Sequence, residues 1–179
     1  MAVLKIRNAR TDDARAIATI QVDASRAAYA GIVPHGYLER LTVEKRMSIW
    51  RQLISAPGEV EQTIVGDDGE HIQAYAHYGR SRDPSANRTT GELYSLYVAP
   101  HHWRSGFGQQ LLAASIRGIA GMGFNTATLW VLAANKPARQ FYERFGWVAD
   151  GIAKGDEGRI EARYRIDLIA QADPCKCAH

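Results

Sequence analysis

The chain has 179 residues, with 22 lysines and arginines against 19 acidic residues and only two cysteines. A chain of this length buries about 70% of its unfolded surface in one core, so neither a disulfide nor a structural metal is required. A net charge of +3 without a basic block argues against nucleic acid as a partner. No apolar run approaches the roughly 18 residues of a membrane span, and the amino terminus carries no leader-like apolar stretch, so the expected compartment is the cytoplasm with no membrane partner.

Residues 3–9 alternate apolar and polar and predict a first strand. Thr11 is then a candidate N-cap, with Asp12 and Asp13 favourable in the first turn of a helix running to about Tyr29. Its apolar face is Ala14, Ile17, Ala18, Val22 and Ala28. Gly31 to Pro34 breaks that helix, residues 34–41 predict a short helical turn, and a second long helix spans 42–55 with Thr42 as its cap. Tyr29, Tyr37 and Trp50 in this region either pack on one another or line a substrate cleft. Residues 63–65 read as a strand entering a hairpin at Gly66-Asp67-Asp68-Gly69, with a return strand over 72–78. That strand places Ala74, Ala76 and Tyr78 on one face and Gln73, Tyr75 and His77 on the other. Residues 81–91 predict a polar loop.

Residues 92–98 form an aromatic and aliphatic strand stopped by Ala99-Pro100. After Trp103-Arg104-Ser105-Gly106-Phe107-Gly108 a helix begins near Gly106, with Phe107, Leu111, Ser115 and Met122 on one flank and Leu112, Ile116 and Ile119 on another. The first turn of a helix carries amide N–H groups without intrahelical partners and the positive end of the macrodipole, so it suits a phosphate. Gly106 and Gly108 lack the Cβ atoms that hold a ligand off the backbone. Two nucleotide motifs are excluded. A dinucleotide fingerprint needs a third glycine where Leu111 stands and an acid about twenty residues on, and no Gly-Lys-Ser or Gly-Lys-Thr exists for a P-loop. The strand over 126–132 completes a β-α-β unit, which is parallel and places the helix N-terminus at the carboxyl ends of the strands. Residues 135–145 form a short helix with Pro137 in its first turn and Gly146 beyond its end. Residues 147–152 and 159–168 close a hairpin. The alternation of Ile160, Ala162, Tyr164, Ile166 and Leu168 with Glu161, Arg163, Arg165 and Asp167 predicts an antiparallel edge. The tail, 171–179, holds Cys175, Cys177 and His179 and reads as a disordered end rather than a metal site; no metal is expected.

The V-x-P strand end, the x-x-G-x-G turn and the Leu-Leu helix, followed by Leu129-Trp130-Val131, Asn135 and Ala138-x-x-Phe141-Tyr142-x-x-x-Gly146-Trp147, resemble the acetyl-coenzyme A motif of the GNAT superfamily of N-acetyltransferases. The match covers residues 92–147. It departs from the family at Trp103, where Gln or Arg is frequent. The resemblance implies an α/β (α+β) fold, one mixed, mostly antiparallel central sheet with a single parallel βαβ unit and flanking helices, in one domain over residues 1–170. It implies acetyl-CoA as cosubstrate and direct transfer of the acetyl group to a primary amine of a small molecule or peptide. It places cofactor contacts at Leu96, Tyr97, Val98, Trp103, Arg104, Ser105, Gly106, Phe107, Gly108, Gln109, Asn135 and Tyr142. Backbone groups of Leu96 and Val98 are expected to pair with the pantetheine amides, and an amide of Tyr97 or Val98 to meet the thioester oxygen. Tyr142 is the expected general acid toward the sulfur and Glu92 the expected base, with His77 and Glu61 in reserve. A module of the same fold that binds coenzyme A without turnover is the alternative. Exposed edges after Trp147 are compatible with a homodimer.

Overall fold

The computed structural model describes residues 4–156 and 159–169. The strands are β1 (Lys5–Asn8), β2 (Glu61–Asp67), β3 (Ile72–Arg80), β4 (Thr90–Val98), β5 (Thr126–Leu132), β6 (Val148–Lys154) and β7 (Glu161–Asp167). The helices are α1 (Ala14–Tyr29), α2 (His35–Glu39), α3 (Val43–Ser55), α4 (Phe107–Gly121) and α5 (Lys136–Arg144). The seven strands make one sheet in the order β1-β2-β3-β4-β5-β7-β6. Only β4 and β5 are parallel; every other pairing is antiparallel. The mixed, mostly antiparallel sheet with one β-α-β unit is the architecture expected from the motif.

Alternation along β3 explains why both faces of this strand are dry. Ala74, Ala76 and Tyr78 join Leu93, Phe107, Leu111, Leu112 and Ile119 in a core beneath α4. Tyr75, pointing the other way, joins Trp50 of α3 and Ala14, Ile17 and Ala18 of α1 in a second core. The strand is thus buried almost throughout, as a central strand covered by helices on both sides must be. Seating α4 on β3 depends on Gly118, where any Cβ would overlap the Tyr78 hydroxyl and lie 2.5 Å from its Cζ.

Several expectations are corrected by long-range contacts. Thr11 does not cap α1: a 3₁₀ turn, Thr11–Asp13, precedes the helix. There Asp13 accepts the Arg10 N–H at 2.7 Å and pairs with the Arg7 guanidinium at 2.7 and 3.0 Å. Burial alone would raise the Asp13 pKa, but these donors hold it below the ordinary carboxylate value. Thr42 does cap α3, its hydroxyl accepting the Lys45 N–H at 3.4 Å. The hairpin after β2 turns later than expected, with Asp68 accepting the Glu70 and His71 N–H groups at 3.0 and 2.9 Å. β4 begins at Thr90 inside the expected loop, and its register against β3 slips between His77 and Tyr78, leaving Tyr94 as a bulge. β7 is not an edge: it lies between β5 and β6, and β6 is the edge. Cys175, Cys177 and His179 lie outside the described residues. Among the described residues, no group of three His, Cys, Asp or Glu side chains could hold a metal, and no helix is long and apolar enough to cross a membrane.

Candidate functional site

β4 and β5 pair only from Thr90↔Thr126 to Leu93↔Leu129. Beyond Leu93 the strands diverge: β4 continues along β3 to Val98 and β5 continues along β7 to Leu132. The result is a wedge in the middle of the sheet. The Ala99 N–H donates to the Gln73 carbonyl at 2.8 Å. Since hydrogen-bonding direction alternates along an antiparallel pair, Tyr97 therefore bonds toward β3 while Leu96 and Val98 present their backbone groups to the wedge. Of the two amides expected to meet a thioester oxygen, only that of Val98 faces the open side. The carbonyl of Val98 is already occupied, accepting the Trp103 indole N–H at 2.8 Å. Trp103 is otherwise 45% exposed, so it closes the wedge from its rim.

The mouth of the wedge is the turn that leads into α4. Arg104 has φ 64° and Gly106 φ 91°, so two residues of this turn lie in the left-handed region. Successive amides in such alternating conformations converge on one point. Gln110 is the first residue of the helix whose N–H finds a carbonyl, that of Gly106 at 3.2 Å. The N–H groups of Gly106, Phe107, Gly108 and Gln109 meet no acceptor among the described residues. The two glycines serve different ends. Gly106 supplies the positive φ, whereas a Cβ on Gly108 would point at Phe141, 3.4 Å from its Cζ. That distance is ordinary packing contact, so Gly108 sits against α5 with room for a methyl group. Ser105 turns inward, its hydroxyl donating to the His102 carbonyl at 2.6 Å.

α5 forms the other wall. Asn135 caps it, accepting the Ala138 N–H at 3.2 Å, and is itself buried. Phe141 and Tyr142 then face the core of the wedge, with Tyr142 packed 6.2 Å from the Trp147 ring, edge to face. Burial, and next the neighbouring Tyr97 hydroxyl, push the Tyr142 phenol well above its usual pKa. Tyr97 in turn shares a hydrogen bond of 3.1 Å with Tyr29 of α1 and stacks on Tyr75 at 5.5 Å. Tyr29 thus belongs to the wedge. Trp50 instead packs on Tyr75 and His77 and donates to Gln21, and Tyr37 lies under the Arg159 guanidinium, so the three aromatic residues do not cluster with one another.

Glu92 is not an exposed strand end. It is 4% exposed and accepts the Arg82 N–H at 2.8 Å, the Ser81 hydroxyl at 3.3 Å and the Arg82 guanidinium at 3.4 Å. It lines a cavity of about 380 Å³ with Arg82, Trp130 and Lys154. The loop before β4 roofs this cavity and is tied down by Arg163, which bridges Asp83 and Asp150. His77 and Glu61 meet across 4.0 Å on the same face. Burial lowers the His77 pKa, outweighing the pull of Glu61, and its Nδ1 lies 3.0 Å from the Thr63 hydroxyl. Residues that sequence reasoning passed over are Arg82, Trp130, Lys154 and Arg163. Their signal was faint: Trp130 sits within the Leu-x-Val motif, but the other three are brought in by pairings of distant segments.

A mixed sheet wedged open between its two parallel strands thus carries bare helix-start amides at its mouth. Residues 34–147 match the Acetyltransferase (GNAT) family, and the chain belongs to that family. It is 28% identical over 143 residues to the uncharacterized N-acetyltransferase YuaI of Bacillus subtilis, spanning 80% of this chain and 79% of that protein. A shorter stretch of 63 residues is 40% identical to mycothiol acetyltransferase of Streptomyces coelicolor, covering 35% of this chain and 20% of that one. Among solved structures, the PaiA N-acetyltransferase of Thermoplasma acidophilum in complex with coenzyme A superposes with a TM-score of 0.70 at 17% identity, over 91% of this chain and 99% of that one. YncA of Salmonella typhimurium, solved with acetyl-CoA, gives 0.70 at 20% identity over 92% and 94%. At such identities the likeness is one of fold.

Proposed function

We propose that the protein is an enzyme that transfers the acetyl group of acetyl-CoA directly to a primary amine of a small molecule or peptide, without a covalent enzyme intermediate. The observation that carries this reading is the conjunction of the unpartnered amides of residues 106–109 with a half-buried Tyr142 on the facing wall of the same wedge. The amides take the diphosphate, the free backbone of Leu96 and Val98 pairs with the pantetheine arm, and Arg104, Ser105 and Asn135 flank its path. At the Val98 carbonyl the arm either uses the second lone pair or displaces the Trp103 indole.

The chemistry asks for a neutral amine and a proton for the departing sulfur. A lysine-like ammonium is neutral about one part in a thousand near pH 7.4, a cost of about 4 kcal/mol. Glu92 takes the surplus proton, and to do so it exchanges one of its three donors for the acceptor or a water. The raised phenol of Tyr142 stays protonated across the physiological range and donates to the sulfur. An unperturbed phenol and thiol differ by about 1.5 pKa units, roughly 2 kcal/mol, so burial makes complete proton transfer costlier and favours a hydrogen bond that matures as charge develops on sulfur. The Val98 N–H is the donor suited to the thioester oxygen. Acceptor access from the Glu92 side agrees with the cavity there.

The test is a panel of amines mixed with acetyl-CoA, reading thiol release, alongside calorimetric titration of coenzyme A. Thiol release with at least one amine is expected. Binding without turnover for any amine overturns the enzyme in favour of a silent coenzyme A module, and absence of binding overturns both.

A further inference from the structure

The cavity that holds Glu92 already contains an amine. Lys154, at the end of β6, places its Nζ 3.9 Å from the centroid of the Trp130 ring and 3.7 Å from Glu161. Trp130 is the first β5 residue beyond the last β4–β5 pair, Leu93↔Leu129. It lies two residues past Thr128, the partner of Glu92, and so on the same face of the sheet. Glu92, Trp130 and Lys154 line one cavity. The Lys154 side chain is 51% exposed, held by one aromatic face and one carboxylate, and it shares that cavity with Glu92, the carboxylate proposed as the base. The described chain's remaining lysines, Lys5, Lys45 and Lys136, are on β1, α3 and the start of α5 and do not line it.

We propose that Lys154 is an internal acceptor, acetylated on Nζ within its own chain from acetyl-CoA; this rests on the acetyl-transfer reading above. The lysine ammonium gives its surplus proton to Glu92 or to water, and the neutral Nζ attacks the thioester carbonyl carbon. A carbon–nitrogen bond forms, the carbon–sulfur bond breaks, and coenzyme A leaves as the thiol after taking one proton; nothing is oxidised or reduced. The acetylated side chain is uncharged, so it loses its attraction to both the indole face and Glu161. Acetylation therefore removes the nearer of the two cations over the Trp130 ring, the Arg163 guanidinium staying at 5.8 Å, and makes room there for the ammonium of an incoming acceptor.

The experiment incubates the full chain with acetyl-CoA and no added amine, then maps acetyl-lysine by peptide mass spectrometry over time. The expected result is one acetyl group, on Lys154, added at a rate independent of protein concentration, lost in Lys154→Arg and slowed at least tenfold in Tyr142→Phe. The amine panel and the coenzyme A titration run in parallel. Amine turnover with Lys154 unlabelled overturns this inference and leaves the proposed function standing, whereas no turnover and no coenzyme A binding overturns both. Equal labelling of Lys5, Lys45 and Lys136, or undiminished labelling in Tyr142→Phe, is plain chemical acetylation and overturns the internal-acceptor assignment, as does a rate that scales with protein concentration.

Discussion

Replacing Gly106 with alanine tests whether the bare amides are organised by backbone conformation. Gly106 sits at φ 91°, ψ −4° at the start of α4, and an L-residue in the left-handed region costs roughly 1–2 kcal/mol. That strain has two places to appear. If the variant keeps the native turn, the whole fold carries it, and at about 2–4 °C per kcal/mol for a chain of this size the melting temperature falls by roughly 2–8 °C. If the turn relaxes in the free protein, coenzyme A has to restore it on binding, and 1–2 kcal/mol becomes roughly a 5- to 30-fold weaker affinity. Calorimetric titration and thermal melting on the same sample capture both, and together they should account for the strain. Gly108→Ala is the control. Its Cβ meets Phe141 at 3.4 Å in helical backbone, where alanine is favoured over glycine by up to about 1 kcal/mol. That variant should keep its melting temperature and its affinity within about threefold. Gly106→Ala with melting and affinity both at wild-type levels would refute the idea that a left-handed residue aims these amides.

Tyr142→Phe should lower turnover at least tenfold with coenzyme A affinity within a few fold, measured by thiol release and calorimetry; an unchanged rate removes the phenol from the chemistry. Arg163→Met leaves Asp83 and Asp150, 11% and 15% exposed, facing each other without their cation, which should cost roughly 3 kcal/mol at neutral pH. Hydrogen bonds from Ser85, and next Arg163, hold the Asp83 carboxyl below its ordinary value, so the loss should shrink as acid protonates Asp83, a trend visible in melting curves. Burial depresses the His77 pKa, so His77 contributes stability that is complete above its unfolded value of about 6.5 and declines as pH falls below it. His77→Gln should flatten that limb of the melting profile, and an unaltered slope between pH 6.5 and about 5 would assign the loss to other groups. Gly118→Ala drives a Cβ into the buried Tyr78 ring and should cost about 1–3 kcal/mol by overpacking; a melting temperature equal to wild type would mean that α4 slides on β3 without penalty.

What could be read in the sequence follows from how local each signal was. The β4–turn–α4 segment was legible because its strand stop, glycine turn and apolar helix face lie within thirty residues, and the same holds for Asn135, Pro137 and Gly146 around α5. Thr11 misled because its competitor, Asp13, acquires its role through Arg7 of the preceding strand rather than through helix propensity. Glu92 stood out in the sequence as a carboxylate at a strand start, but its burial was invisible: the segment that covers it is pinned by Arg163, about eighty residues downstream. The edge assigned to β7 failed for a related reason, since alternation reports that one face is buried and says nothing of which neighbours flank a strand. That Gly106 takes a positive φ while Gly108 lies in the helix that follows is a difference of dihedral angle that no spacing reveals.

Only four residue pairs join β4 to β5, which makes the divergence of these strands a seam between two half-sheets. Parting the molecule along that line breaks fewer main-chain rungs than parting it along β2–β3 or β5–β7, each with seven. An extended ligand arm laid between the strands supplies rungs that the polypeptide itself lacks. Occupancy should therefore slow amide hydrogen exchange on both lips of the seam at once, at Leu96 and Val98 and across at Trp130 and Leu132, and tie the two halves into one cooperative unit.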